Sequence, residues 1–222
     1  SVIKIQLLTV GCANMMPPEG GLRDTLAPQL LKATPADSTR NFKDDRLILI
    51  FDEFVDLNNV QQNLLITPLQ QAFPDVQYKL RTVTVKFRDT LEPNTTYTLN
   101  FSNAIKDINE GNVVKNLTFV FSTGPSLDSL TLGGKVILAE TGKLDTTLTV
   151  ILHKNPNDSA VVNEKPRYAT SLNSAGEFRF TNLPAGKFYV YALKNEGGSY
   201  RYQSAKQLFA FADSAVTAGS SQ

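Results

Sequence analysis

The sequence predicts an all-β chain, two tandem β-sandwiches after an N-terminal leader and tether. Three observations carry this. Apolar residues alternate with polar ones over short runs, turn residues sit between the runs, and no stretch shows a 3.6-residue apolar stripe over three helical turns. In "TVTVKF" (82–87) the alternation puts Val83, Val85 and Phe87 on one face. In "TYTLNF" (96–101) it puts Tyr97, Leu99 and Phe101 inward, and in "LTFVFS" (117–122) it aligns Leu117, Phe119 and Phe121. "LILIF" (47–51) is a continuous apolar run, as for a central strand. Between the runs stand Asp44-Asp45, Pro68, Pro74-Asp75, Glu92-Pro93-Asn94 and Glu110-Gly111-Asn112. Gly124-Pro125 breaks the pattern, and a second series follows in "LTLGGKVIL" (130–138), "TLTVILHK" (147–154), "YATSLN" (168–173) and "GEFRFTNLPAGKFYVYALKN" (176–195). Several short strands at this spacing are the pattern of β-sandwiches.

Composition narrows the function. Hydrophobic content is 41% of 222 residues, enough to bury a core. The 22 basic and 21 acidic residues nearly cancel and form no basic block, so nucleic acid is not an expected partner. With one cysteine and one histidine, a site of the Cys/His metal type lacks ligands. No G-x-S-x-G elbow and no phosphate-cradling glycine loop is present. The expectation is a non-enzyme with no cofactor.

The N-terminus reads as an address. Residues 1–12 form a leader ending at Cys12, preceded by Val10-Gly11, and residues 13–27 form a Pro/Gly-rich tether. A small residue before a cysteine is the processing signal of lipoproteins, so Cys12 is the expected lipidation site and the bilayer an expected partner. Thr9 stands where leucine is usual, and Lys4 and Gln6 interrupt the apolar stretch. The chain opens on Ser1 and closes in a small-residue tail, which reads as a segment of a longer protein. The domain expectation is 28–124 for the first sandwich, 127–200 for the second, and 201–222 for the start of a further, truncated segment.

Other candidates are local. "LEPNTTYTL" (91–99) sets Pro93 in a turn before Tyr97, the arrangement of a tyrosine corner, whose hydroxyl bonds backbone near the preceding turn. Asp52, Glu53 and Asp56 lie too close in sequence to read as an acid/base pair, with no aromatic platform beside them. "DINEGN" offers Asp107, Asn109 and Glu110 as oxygen ligands for calcium. Its Gly111 falls at position five where the EF-hand needs position six, and a hairpin turn is the plainer reading. His153 lies opposite the Val150/Leu152 face of its strand and is expected at the surface. Tyr200 and Tyr202, after Gly197-Gly198, are candidates for a partner surface.

The sequence also carries resemblances. "PQLLKATPADSTRNF", "LILIFDEFVDL", "LEPNTTYTLNF", "IKDINEGNVV" and "FVFSTG" resemble, in order, a bacterial Ig-like domain of the SbsA type over residues 28–124. "GGKVILAETGK" followed by "TSLNSAGEFRFTNLPAGKFYVYALKN" resembles a prealbumin-like, carboxypeptidase-regulatory-type sandwich. With the leader and "GG-x-x-D-T-x-A-P" (Gly20–Pro28), the combination is similar to cell-envelope lipoproteins of the Bacteroidota type. That resemblance implies an outer-membrane lipoprotein, with the periplasmic face favoured over the cell surface because no acidic export tag follows Cys12. It would act as spacer and interaction module. The alternatives are a module binding a polysaccharide or an envelope complex, and the non-catalytic part of a longer enzyme. The same resemblance implies O-glycosylation at Asp-Ser/Thr steps, namely Thr25, Thr90, Ser129, Thr146, Ser159 and Ser214.

Overall fold

A computed structural model describes residues 23–138 and 141–219. The first series of runs becomes β1 (Leu30–Thr34), β2 (Arg46–Phe51), β3 (Val55–Leu57), the one-turn helix α1 (Val60–Asn63), β4 (Leu65–Thr67), β5 (Asp75–Lys79), β6 (Thr82–Lys86), β7 (Thr96–Asn100), β8 (Ile105–Asp107) and β9 (Thr118–Ser122). A four-stranded antiparallel sheet in the order β1-β2-β6-β5 faces a three-stranded sheet in the order β4-β7-β9. The alternation explains the layering: Leu47, Leu49, Phe51, Val83, Val85 and Phe87 point in from one sheet, and Tyr97, Leu99, Phe101, Phe119 and Phe121 from the other, all buried. Phe121 is the hub, with ring centres 4.4 Å from Phe42, 5.2 Å from Tyr97 and 5.7 Å from Phe87.

β2 lies between two neighbours as its apolar run predicts. Yet Ile48 and Ile50 are only half-buried, opposite Thr84 and Thr82 of β6. The sheet is packed on one face, so its inner strand alternates like the others. The tether also ends earlier than expected. The Arg23 guanidinium donates to the Glu110 carbonyl at 3.1 Å, Asn112 donates to the Asp24 carbonyl at 3.1 Å, and Pro28 is buried. Residues 23–27 are thus stitched to the loop after β8.

The second series gives β10 (Leu130–Lys135), β11 (Leu148–His153), α2 (Ala160–Asn163), β12 (Tyr168–Ser171), β13 (Glu177–Leu183), β14 (Lys187–Lys194), β15 (Phe209–Phe211) and β16 (Val216–Thr217). β10 pairs with β13, while β12-β11-β14-β15 form the larger sheet, which β16 joins on β14. Val150, Leu152, Phe188 and Ala192 pack against Phe180 and Leu183 between them. The turn before β13 is written in "NSAG": Asn173 Oδ1 accepts from the Ala175 and Glu177 amides at 2.9 Å each, and Gly176 takes φ +74°, where a side chain would strain the backbone.

Two expectations need correction. Residues 201–219 do not begin a further segment, because β15 and β16 both pair with β14, and Thr131 bridges Gly219. His153 is not at the surface: it is 2% exposed. Its strand face was read correctly, but that face is covered. Ile151, Val161, Ala169, Tyr191 and Leu193 form a second core there, closed by Tyr200, Tyr202 and Phe209 and by Leu65 and Leu69 from the first sandwich.

Candidate functional site

The tyrosine corner is the starting point. Tyr97 is 1% exposed, and its hydroxyl accepts from the Glu92 amide at 2.8 Å. This bond fixes the turn at Pro93 against the strand that follows, and so fixes where the Glu92 side chain points. The Glu92 carboxylate receives both terminal nitrogens of Arg167, one of them at 2.5 Å, in a forked ion pair between the two sandwiches. The same short segment is held on both sides. The Leu69 amide donates to the Arg167 carbonyl at 2.9 Å, and Lys165 donates to the Gln70 carbonyl. Farther along, Asn182 donates to the Thr98 hydroxyl at 3.0 Å, and the Asp128 amide donates to the Thr96 hydroxyl at 2.8 Å. The sandwiches are therefore bolted at the corner, along β7 and through the linker.

The hydrogen bonds from Arg167 hold Glu92 below its ordinary value of 4.5. A depressed acid stabilises the fold above its unfolded value, and that contribution is lost as pH falls through the lower folded value. The pair is part-exposed, so screening limits it. Arg167→Ala is expected to cost about 1 kcal/mol at pH 7. The cost should vanish well below pH 4.5, as read from urea midpoints of both proteins across that range. An equal cost at every pH would show that the guanidinium acts by packing alone.

Behind this pair lies a cleft of about 510 Å³ between the sandwiches, lined by Asp89, His153, Lys154, Glu164, Lys165 and Arg167 among others. The His153 ring stands edge-on to Tyr191 at 5.7 Å, and its Nε2 has no hydrogen-bond partner. Burial lowers its pKa below 6.5, against the opposing pull of Glu164. The folded protein thus holds a neutral imidazole that the unfolded chain protonates near pH 6.5, so stability falls as pH drops below that value. His153→Leu should flatten the stability curve below pH 6.5 and leave the alkaline side unchanged or raised. Thermal midpoints at half-unit pH steps would test this, and parallel curves would refute it.

On the other side of the second core is an aromatic pocket of about 460 Å³. Tyr189 and Tyr191 of β14, Tyr202, Phe209 and Phe211 of β15, and Val161 and Val162 of α2 line it. Tyr191 and Phe209 stack at 5.7 Å, and Tyr202 leans on Phe209 at 4.7 Å. Of the two tyrosines expected at a partner surface, Tyr202 reaches this pocket. Tyr200 is half-buried against the second core, and burial raises its pKa. Both are packed residues rather than free platforms. Neither Phe209 nor Phe211 was singled out by sequence, because they enter the site only by the pairing of β15 with β14.

The remaining candidates fall elsewhere. Asp107 is 1% exposed, and its carboxylate accepts from the amides of Glu110, Gly111 and Asn112 at 2.6, 2.9 and 2.8 Å. Both oxygens are turned to the loop it closes, while Asn109 is exposed and Glu110 half-buried. Among the described residues no three His, Cys, Asp or Glu side chains are grouped as for a metal. Asp52 caps the Gln29 amide at 2.8 Å, and Asp56 caps the Leu57 amide at 2.8 Å and pairs with Lys106 at 3.5 Å. Glu53 is raised by burial and by the neighbouring charges of Asp107, Asp52, Asp24 and Glu110. Thr25, Thr90, Ser129, Thr146, Ser159 and Ser214 are all exposed. Cys12 lies outside the described residues, and among those described no helix is long and apolar enough to cross a membrane.

Residues 24–123 match the family model of the bacterial Ig-like domain. No curated protein matches the chain. Among solved structures it is similar to an L,D-transpeptidase from Mycobacterium smegmatis at 11% identity, covering 66% of this chain and 73% of that one, with TM-score 0.31. It is also similar to the N-terminal part of the bacterial S-layer protein SbsC, at 17% identity, covering 84% and 44%, with TM-score 0.33. A third is BcpA, the major pilin subunit of Bacillus cereus, at 12% identity, covering 86% and 65%, with TM-score 0.23. The chain thus spans less than half of the S-layer chain. The first sandwich is a bacterial Ig-like domain.

Proposed function

We propose that this protein is a non-enzymatic cell-envelope lipoprotein. It is held to the outer membrane through acylated Cys12 and serves there as a stiff spacer that presents an interaction module. The observation that carries the spacer is the bolted junction, since Arg167–Glu92 at the corner, Asn182–Thr98 on β7 and Asp128–Thr96 in the linker tie the Ig-like domain to the second sandwich at three places. A junction held at several points resists bending about any one of them. The anchor is supported by Gly11-Cys12 followed by a Pro/Gly tether, a similarity to Bacteroidota-type envelope lipoproteins.

The test is metabolic labelling with an alkynyl fatty acid in cells that make the protein from its own gene. Label on the parent and none on Cys12→Ala is the expected result. An unlabelled parent would remove the anchor and leave the spacer standing. A second reading, an accessory module that binds a partner of the envelope, is favoured by the aromatic pocket.

A further inference from the structure

We propose that the aromatic pocket of the second sandwich binds a basic side chain, Lys or Arg, displayed by an extended segment of a protein partner. This rests on the interaction-module reading and is independent of the lipid anchor.

The pocket has two kinds of surface. One is a bank of rings, of which Phe211 is 65% exposed and Tyr189 half-buried, joined by Val162, 45% exposed. The other is a pair of carboxylates, Asp158 beside α2 and Asp213 in the loop after β15. Among the described residues they are the only charged ones that line it. Both are exposed, and among the described residues neither makes an ion pair or accepts a hydrogen bond from a side chain or the backbone. The electrostatic consequence is one-sided. Ring faces carry negative quadrupole density, and two free carboxylates add to it with no cation to offset them. A phosphate or an acidic glycan would be repelled.

A basic side chain uses every part. Its methylene stem lies along the rings and Val162, and its charged head meets the ring faces and the carboxylates. The volume of about 460 Å³ suits one side chain and its flanking backbone rather than a folded surface. A neutral sugar could stack on the rings and donate hydroxyls to the carboxylates, but it brings no positive charge to offset theirs.

The experiment is a titration of the intact chain by NMR or calorimetry with three probes. These are a blocked pentapeptide of glycine carrying two arginines, its lysine counterpart, and a neutral oligosaccharide of similar length. At least one basic peptide is expected to bind saturably below ~10 mM and to weaken as salt rises. Asp158→Asn with Asp213→Asn should weaken it by about tenfold, and Phe211→Ala by about threefold to tenfold. All three side chains are exposed, so the fold should survive, and unchanged thermal midpoints would verify that. Three results would overturn the proposal: no saturation by either basic peptide, binding insensitive to the two aspartates, or oligosaccharide binding at the pocket in preference to the peptides. These leave the fatty-acid labelling result untouched, so failure here and failure of the anchor are separable.

Discussion

Phe121→Ala should destabilise the Ig-like domain by about 3–5 kcal/mol. The ring is fully buried and touches Phe42, Tyr97 and Phe87, which belong to three separate segments. Its removal leaves a void that three other aromatic rings, each fixed to its own strand or turn, are poorly placed to refill. Denaturant unfolding would show the loss in the midpoint of the first sandwich. If that midpoint moved by less than about 1 kcal/mol, the two sheets would have to collapse together far more freely than the ring geometry allows.

Asp107→Ala is expected to cost about 3 kcal/mol. One carboxylate serves three amides of its own loop, and alanine strands all of them. Burial alone would raise the acid, but the amides of Gly111, Asn112, Glu110 and Asn109 outweigh it and hold Asp107 below 3.8. Its contribution is therefore present above pH 3.8 and lost as pH falls through the lower folded value. Asp107→Asn keeps one acceptor oxygen and should cost less than alanine, with no acid-dependent part. The readouts are unfolding midpoints at pH 7 and pH 3, plus amide exchange at residues 110–112. The Arg23 and Asn112 bonds that join this loop to residues 23–27 should loosen with it.

Much of the fold was legible because it is local. Alternation over five or six residues decided which side chains of β6, β7 and β9 face inward, and Pro93 ahead of Tyr97 pointed to the corner. What escaped was decided by partners far along the chain. Glu92 and Arg167 are separated by 75 residues, and nothing near either marks it as paired. His153 lies on the strand face opposite Val150 and Leu152, as the alternation indicates. Its burial comes from what packs over that face, Tyr191 of β14 edge-on to the ring and the second core beside it, which period-two reasoning does not reach. The pocket is drawn from residues 156–215. Its tyrosines stand out in the sequence, whereas Phe209 and Phe211 sit in a stretch that looks like a frayed end until β15 finds its place beside β14. The calcium-like spacing of "DINEGN" has a conformational origin: an inward aspartate needs glycine and asparagine nearby to bring three amides round to it.

The bond from the Glu92 amide to the Tyr97 hydroxyl also bears on how the two halves of the chain are joined. With that turn closed on its strand, Glu92 presents both oxygens to Arg167. The half of the chain that leaves the ribosome first therefore carries, on a turn held by its own core tyrosine, the carboxylate on which the later half is seated.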